Sequence, residues 1–281
     1  MDGGLKMTVV NTNISSLIGM NNLRLTNLGL QTSLARLSSG LRINWAADDP
    51  SGLAIAKGME AQIGGIRTAV QNAEDGINLI RTADGSLAAT HDILLRMRDL
   101  AVRAANEATL TTSDLNRLEN EFQSLVTEIG RKSDAVTFNT KNLFNGDYAA
   151  GGLVLQIGAD NNSTYQLAIS IPALSATDLG INAAHLSGGN ASAAIDLVQS
   201  AINQLSDVRA NLGIQERRLN YIIDDLKAAD INISAAKSRI MDADMAVEIS
   251  EFTRLQILQQ SGTAILAQAN AQPQSILQLL R

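Results

Sequence analysis

The 281-residue chain has no cysteine, and that absence removes disulfides, thiolate nucleophiles and cysteine-based metal sites together. Histidine is nearly as scarce. His91 falls on an apolar helical seam and His185 in a loop-like stretch, so the two are not expected to meet as metal ligands or as an acid–base pair. No His-Glu-x-x-His pattern occurs, and Gly151-Gly152 precedes a strand-like run rather than a helix, which excludes a phosphate loop there. Asp224-Asp225 and Asp242 with Asp244 lack the glycine-containing spacing of a calcium loop and read as solvated helix faces. An enzyme is therefore the weakest reading, and no cofactor is expected.

Other absences narrow the fold. Three prolines leave few obligatory helix breaks. Aromatic residues are only 3% of the chain, so burial must come from Leu, Ile, Val, Met and Ala, the residues that fill seams between long helices. No apolar run reaches the roughly 18 residues a membrane helix needs, and membrane insertion is not expected. The net charge is −6 and no Lys/Arg block appears, which argues against nucleic acid as a partner. Residues 1–6 lack periodicity and precede a second methionine, Met7, so they are expected to be a non-native or over-extended start. The same region lacks a secretory h-region, so any export is expected to be Sec-independent.

What is present is helical periodicity. Val198, Leu205, Leu212, Leu219, Leu226, Ile233, Ile240 and Val247 recur at every seventh position, a coiled-coil seam. Val208, Gln215, Ile222, Ala229, Ala236 and Ala243 follow three residues behind, with one polar interruption. A helix over 191–270 would extend roughly 120 Å unbroken, so a joint near Asp242–Asp244 is predicted. In the N-terminal half, Met59, Ile63, Ile66, Val70, Ala73, Ile77, Ile80, Leu87 and Leu94 alternate by threes and fours, with Asp84 and His91 at two seam positions. Leu115, Leu118, Phe122, Leu125 and Ile129 mark a shorter helix after a cap at Ser113-Asp114. Leu23, Leu30, Leu34, Leu37 and Leu41 mark another, before the break at Asp48-Asp49-Pro50.

Leu153–Ile157 and Tyr165–Ile171 read as a β-hairpin, and 172–190 as a loop returning the chain to the last long helix. The predicted fold is mainly α: an antiparallel coiled-coil bundle with one small β-hairpin, and terminal helices forming a separate coiled coil. The expected divisions are 7–40 with 240–281, a connecting segment 41–51, a bundle of 52–148 with 190–239, and the hairpin and loop at 149–189. The bundle helices satisfy one another. The terminal segments can pair only with each other or with neighbouring copies, which is the pattern of a polymerising subunit. The candidate polymerisation residues are Leu30, Leu34, Leu37 and Leu41, with Ile257, Leu258, Ile265 and Leu266.

Several stretches carry a family resemblance: Asn11-Thr12-Asn13-Ile14-Ser15-Ser16-Leu17, Leu37-Ser38-Ser39-Gly40-Leu41-Arg42-Ile43-Asn44, Gln71-Asn72-Ala73-Glu74-Asp75-Gly76, Arg96-Met97-Arg98-Asp99-Leu100-Ala101-Val102 and Gln268-Ala269-Asn270-Ala271-Gln272-Pro273. In these the chain resembles bacterial flagellins over roughly residues 8–148 and 190–281. The resemblance implies paired terminal helices as the inner tube of a filament, and the bundle and hairpin as its outer tube. It implies type III export into an extracellular filament, and as partners further copies of the chain, an export chaperone, the filament cap and the hook-filament junction proteins. Only a loop follows the hairpin, where family members often carry extra outer domains, so the chain looks like a minimal form. It departs from the family at Trp45, where a small or polar residue is more usual. Contact with Toll-like receptor 5 is implied for Arg96, Leu100 and Glu121, with Arg103 standing where Gln is common. The competing readings are a hook-filament junction protein of the same superfamily and a soluble coiled-coil scaffold that merely dimerises.

Overall fold

The structure, a computed structural model, describes residues 12–149 and 152–279. In chain order the helices are α1 (Ile14–Ser39), α2 (Pro50–Ala104), α3 (Thr112–Ala135), α4 (Ala191–Met241) and α5 (Met245–Leu279). Two antiparallel strand pairs lie between α3 and α4: β1 (Thr137–Phe138) with β2 (Lys141–Asn142), and β3 (Leu153–Gln156) with β4 (Gln166–Ile169). The chain divides into two compact units, one reaching Glu60 and resuming at Ile233, the other running from Ala61 to Asn232. Residues 52–60 and 233–239 thus group with the termini.

The larger unit is a helix bundle whose single core draws on α2, α3, α4, the β3–β4 hairpin and the segment after it. The predicted seams face inward. Ile77, Ile80, Leu87 and Leu94 of α2 are buried with Leu118, Phe122 and Ile129 of α3 and with Val198, Leu205, Leu212 and Leu219 of α4. The pairs Arg67–Asp230 (3.2 Å), Arg81–Glu216 (2.8 Å) and Asp84–Arg209 (2.7 Å) set α2 antiparallel to α4. Asp84, a charge on an apolar seam, is thereby answered by a guanidinium on the facing helix. The α3 cap lies earlier than Ser113-Asp114: Thr111 is the N-cap and Asp114 completes a reciprocal capping box with it.

The β3–β4 hairpin has the predicted strands, with Leu155 opposite Leu167 and Leu153 opposite Ile169, and its inward face rests on the core. The Asn72 side-chain amide donates to the Gln156 carbonyl at 3.0 Å, holding the hairpin against α2. Gly65 lies under the hairpin loop, where an added Cβ would meet the Ala159 Cβ at 2.5 Å, which explains a glycine inside a long helix. The segment 172–190 is more than a connecting loop. It has no regular secondary structure, yet Leu174, Leu179, Ile181 and Leu186 are all buried. Their spacing follows neither helix nor strand period, so periodicity could not reveal them as core.

Glu119 of α3 ties this segment down. Its carboxylate accepts hydrogen bonds from the Leu186 backbone N–H and from Gln123 (2.9 Å), and lies 2.8 Å from His185 Nδ1. Burial alone would raise its pKa, but the bonds from His185, Leu186 and Gln123 outweigh burial and hold it below the ordinary glutamate range. A carboxylate whose folded pKa is depressed contributes stability above its unfolded value and loses it as pH falls through the folded one. The Leu186 amide is accordingly expected to lose hydrogen-exchange protection as pH drops below the ordinary glutamate pKa, relative to core amides such as Leu205. A Glu119→Gln variant should show the reduced protection already at neutral pH. Equal protection in both proteins at all pH values would remove Glu119 as the tether.

Candidate polymerisation interface

The terminal unit is built by α1 lying antiparallel along α5. Asn13 caps α1 by accepting from the Ser16 N–H at 3.0 Å, and its side-chain amide donates to the Ala269 carbonyl at 2.7 Å. Gln259 donates to Asn27 at 2.8 Å, the Ser33 hydroxyl to the Glu248 carbonyl at 3.4 Å, and Arg36 lies 3.8 Å from Glu248. Small residues bring the helices close: an added Cβ on Gly19 would be 3.2 Å from Leu266, and one on Gly262 would be 3.3 Å from Leu23.

At the far end, α1 stops at Ser39 on Gly40, whose φ of 72° is the left-handed conformation a helix C-cap favours, and does not run on to Asp48. Leu41 then bridges to Asp242, and Arg42 donates to the Ile240 carbonyl at 2.7 and 3.2 Å. Ile43 is buried with Ala56 and Met241 in a small core. Asp48 accepts from the Asn44 and Trp45 backbone N–H groups, each at 3.0 Å, which fixes the turn that follows. The predicted joint between the last two helices is found at 242–244. There Asp244 is a helix cap rather than a solvated face, accepting from the Ala246 and Val247 N–H groups, and Asp242 accepts from Ser238.

The eight predicted interface residues divide. Leu30, Leu37, Leu41 and Leu266 are half-buried, while Leu34, Ile257, Leu258 and Ile265 stand open to solvent. Leu34 thus departs from the seam expected of it. Val247 is likewise exposed, because the joint at 242–244 breaks the phase of the heptad that placed it on the seam. The larger finding is how little this helix pair buries. On α1, Ile14, Leu17, Ile18, Met20, Leu25, Leu28 and Leu34 are exposed, and on α5 Met245, Val247, Ile249, Ile257, Leu258 and Ile265. Periodicity finds one stripe per helix; here apolar side chains occupy further faces as well, the pattern of a helix surrounded by protein.

Of the residues implied for receptor contact, Arg96 pairs across helices with Glu121 at 2.6 Å, and Arg103 is exposed. Leu100 is 2% exposed, a core residue with no surface to offer. Among the described residues, no helix is long and apolar enough to cross a membrane and no cluster of three metal-ligating side chains occurs.

Comparison with known proteins decides the family. Residues 10–149 match the bacterial flagellin N-terminal helical region, and residues 195–280 match the bacterial flagellin C-terminal helical region. The chain belongs to the bacterial flagellin family. Flagellin of Bacillus subtilis (strain 168) is 42% identical over 304 residues, covering 97% of this chain and 99% of that protein. Flagellin of Halalkalibacterium halodurans is 43% identical over 274 residues, covering 97% and 100%. The crystal structure of Bacillus cereus flagellin, 27% identical, superposes with a TM-score of 0.48 over 59% of this chain and 94% of that one, too loosely to carry residue positions across. This flagellin is a structural subunit that assembles with copies of itself into the bacterial flagellar filament, and it is not an enzyme.

Proposed function

We propose that the filament is built through the open faces of α1 and α5, with Leu30, Leu34, Leu37, Leu41, Ile257, Leu258, Ile265 and Leu266 divided between the contact within a chain and the contacts between chains. The observation that carries this reading is the run of thirteen large apolar side chains that, among the described residues, are left at least 43% exposed on those two helices. Burying an exposed Leu or Ile contributes about 1.5–3 kcal/mol, so even partial burial of the set amounts to on the order of 10 kcal/mol per subunit before the costs of association. The export chaperone, the filament cap and the hook-filament junction proteins are further partners on this reading, as the family resemblance implies. Export is of the type III kind, and the filament lies outside the cell. Contact with Toll-like receptor 5 rests on Arg96, Arg103 and Glu121, the exposed members of that set.

The purified chain, seeded with short filament fragments, is expected to grow into long uniform filaments visible by negative-stain electron microscopy. Persistent monomers or short rings with full helical content would favour the junction-protein or dimerising coiled-coil reading instead.

A further inference from the structure

Trp45 is the only tryptophan in the chain, and it is 70% exposed. Large aromatic side chains hold much burial energy, and an indole left in water on a well-ordered turn leaves that energy unused. The turn is ordered on every side. The Asp48 carboxylate holds the Trp45 and Asn44 N–H groups, the Asp48 N–H donates to the Trp45 carbonyl at 3.0 Å, and neighbouring Ile43 is anchored in the small core with Ala56 and Met241. The indole is therefore presented on a fixed scaffold, so little conformational entropy remains to be lost when it is covered.

Beside it lies a cavity of about 170 Å³, walled by Gln31, Ala35 and Arg36 of α1 and by Trp45 and Asp48 of the turn. Arg36 also reaches Glu248 of α5 at 3.8 Å, so this wall of the cavity is held by the helix pair. The wall residues continue the open face of α1: Leu28, Gln31, Thr32 and Ala35 follow three- and four-residue steps, and a shallow groove over Met20, Arg24 and Leu28 meets the cavity at Gln31. The cavity is thus the end of the surface assigned above to contacts between copies.

We infer that Trp45 is an anchor between subunits, covered in the filament by a second copy of this chain seated along the open face of α1 and over the cavity beside the indole. The inference rests on the polymerisation reading of that face. A second copy is the occupant because the face is continuous with the cavity and the chain assembles with itself.

The single tryptophan makes the test direct. Emission and iodide quenching are measured on the native chain as monomer and after growth on short filament seeds, with pelleting to confirm polymer. The expected result is a blue-shifted emission and a several-fold fall in quenching on polymerisation. Trp45→Ser should raise the monomer concentration left in equilibrium with filaments on the order of tenfold, the loss typical of an interface tryptophan. Trp45→Phe, which keeps an apolar ring on the same turn, should recover most of it. Filaments that pellet normally with Trp45 still fully quenched would overturn the proposal while leaving the assembly reading intact, as would unchanged residual monomer for Trp45→Ser. Failure of the native chain to grow on seeds would sink the assembly reading itself, and this inference with it.

Discussion

The double variant Leu34→Asp, Ile257→Asp is expected to remain folded and to lose seeded growth by a hundredfold or more. Both side chains are more than half exposed in the single chain, so the α1–α5 pair gives up little when they change. The direct cost is helix propensity, about 0.5 kcal/mol for each Asp. In a filament the same positions would have to carry a carboxylate out of water, and an unpaired buried charge costs several kcal/mol. Two such charges outweigh the roughly 2.7 kcal/mol that a hundredfold loss requires. Far-ultraviolet circular dichroism and the thermal transition should match the native chain, while turbidity and electron microscopy on seeds should show no growth. Leu37→Asp provides the contrast. Leu37 is half-buried within the helix pair, so that change should reduce helical content in the monomer as well. Normal filaments from the double variant would remove the open faces of α1 and α5 from the interface.

The heptad of α4 and the threes-and-fours of α2 were legible because one face of each helix turns into a single shared core, the condition under which period and burial coincide. The joint at 242–244 was legible for a different reason: an unbroken helix over 191–270 would extend roughly 120 Å, although the heptad itself runs past the joint to Val247. What the pattern could not separate was the paired face from the open faces of α1 and α5. Leu30 and Leu34 look alike in sequence, yet one is half-buried and the other stands in solvent, because both faces are apolar. The close approach of the two helices was hidden as well. It depends on Gly19 and Gly262, and a glycine within a helix registers as weak propensity rather than as contact. The segment 172–190 escaped notice because its buried residues have no period. Leu100 was placed on a receptor surface by resemblance alone; the phase of α2 turns it inward, three residues after the buried Met97 and four before the buried Ala104.

Phe122→Ala is expected to act on the other unit and in the opposite sense, lowering stability without touching the assembly surface. Phe122 is fully buried, on the face of α3 that also carries Leu118 and Ile129. Truncating such a ring removes its transfer energy and leaves a cavity, a loss of about 3–5 kcal/mol. Against a usual total of roughly 5–15 kcal/mol, that is a large fraction of what holds a domain folded. For a unit of this size each kcal/mol moves the melting temperature by about 2–4 °C, so a fall of roughly 6–20 °C is expected in a thermal scan of the monomer. Below that transition the variant should still add to filament seeds, because the apolar faces of α1 and α5 are unchanged. A shift of only a degree or two would mean that the core collapses around the lost ring. Loss of seeded growth at temperatures where the bundle remains folded would mean that assembly reads the bundle as well as the terminal helices.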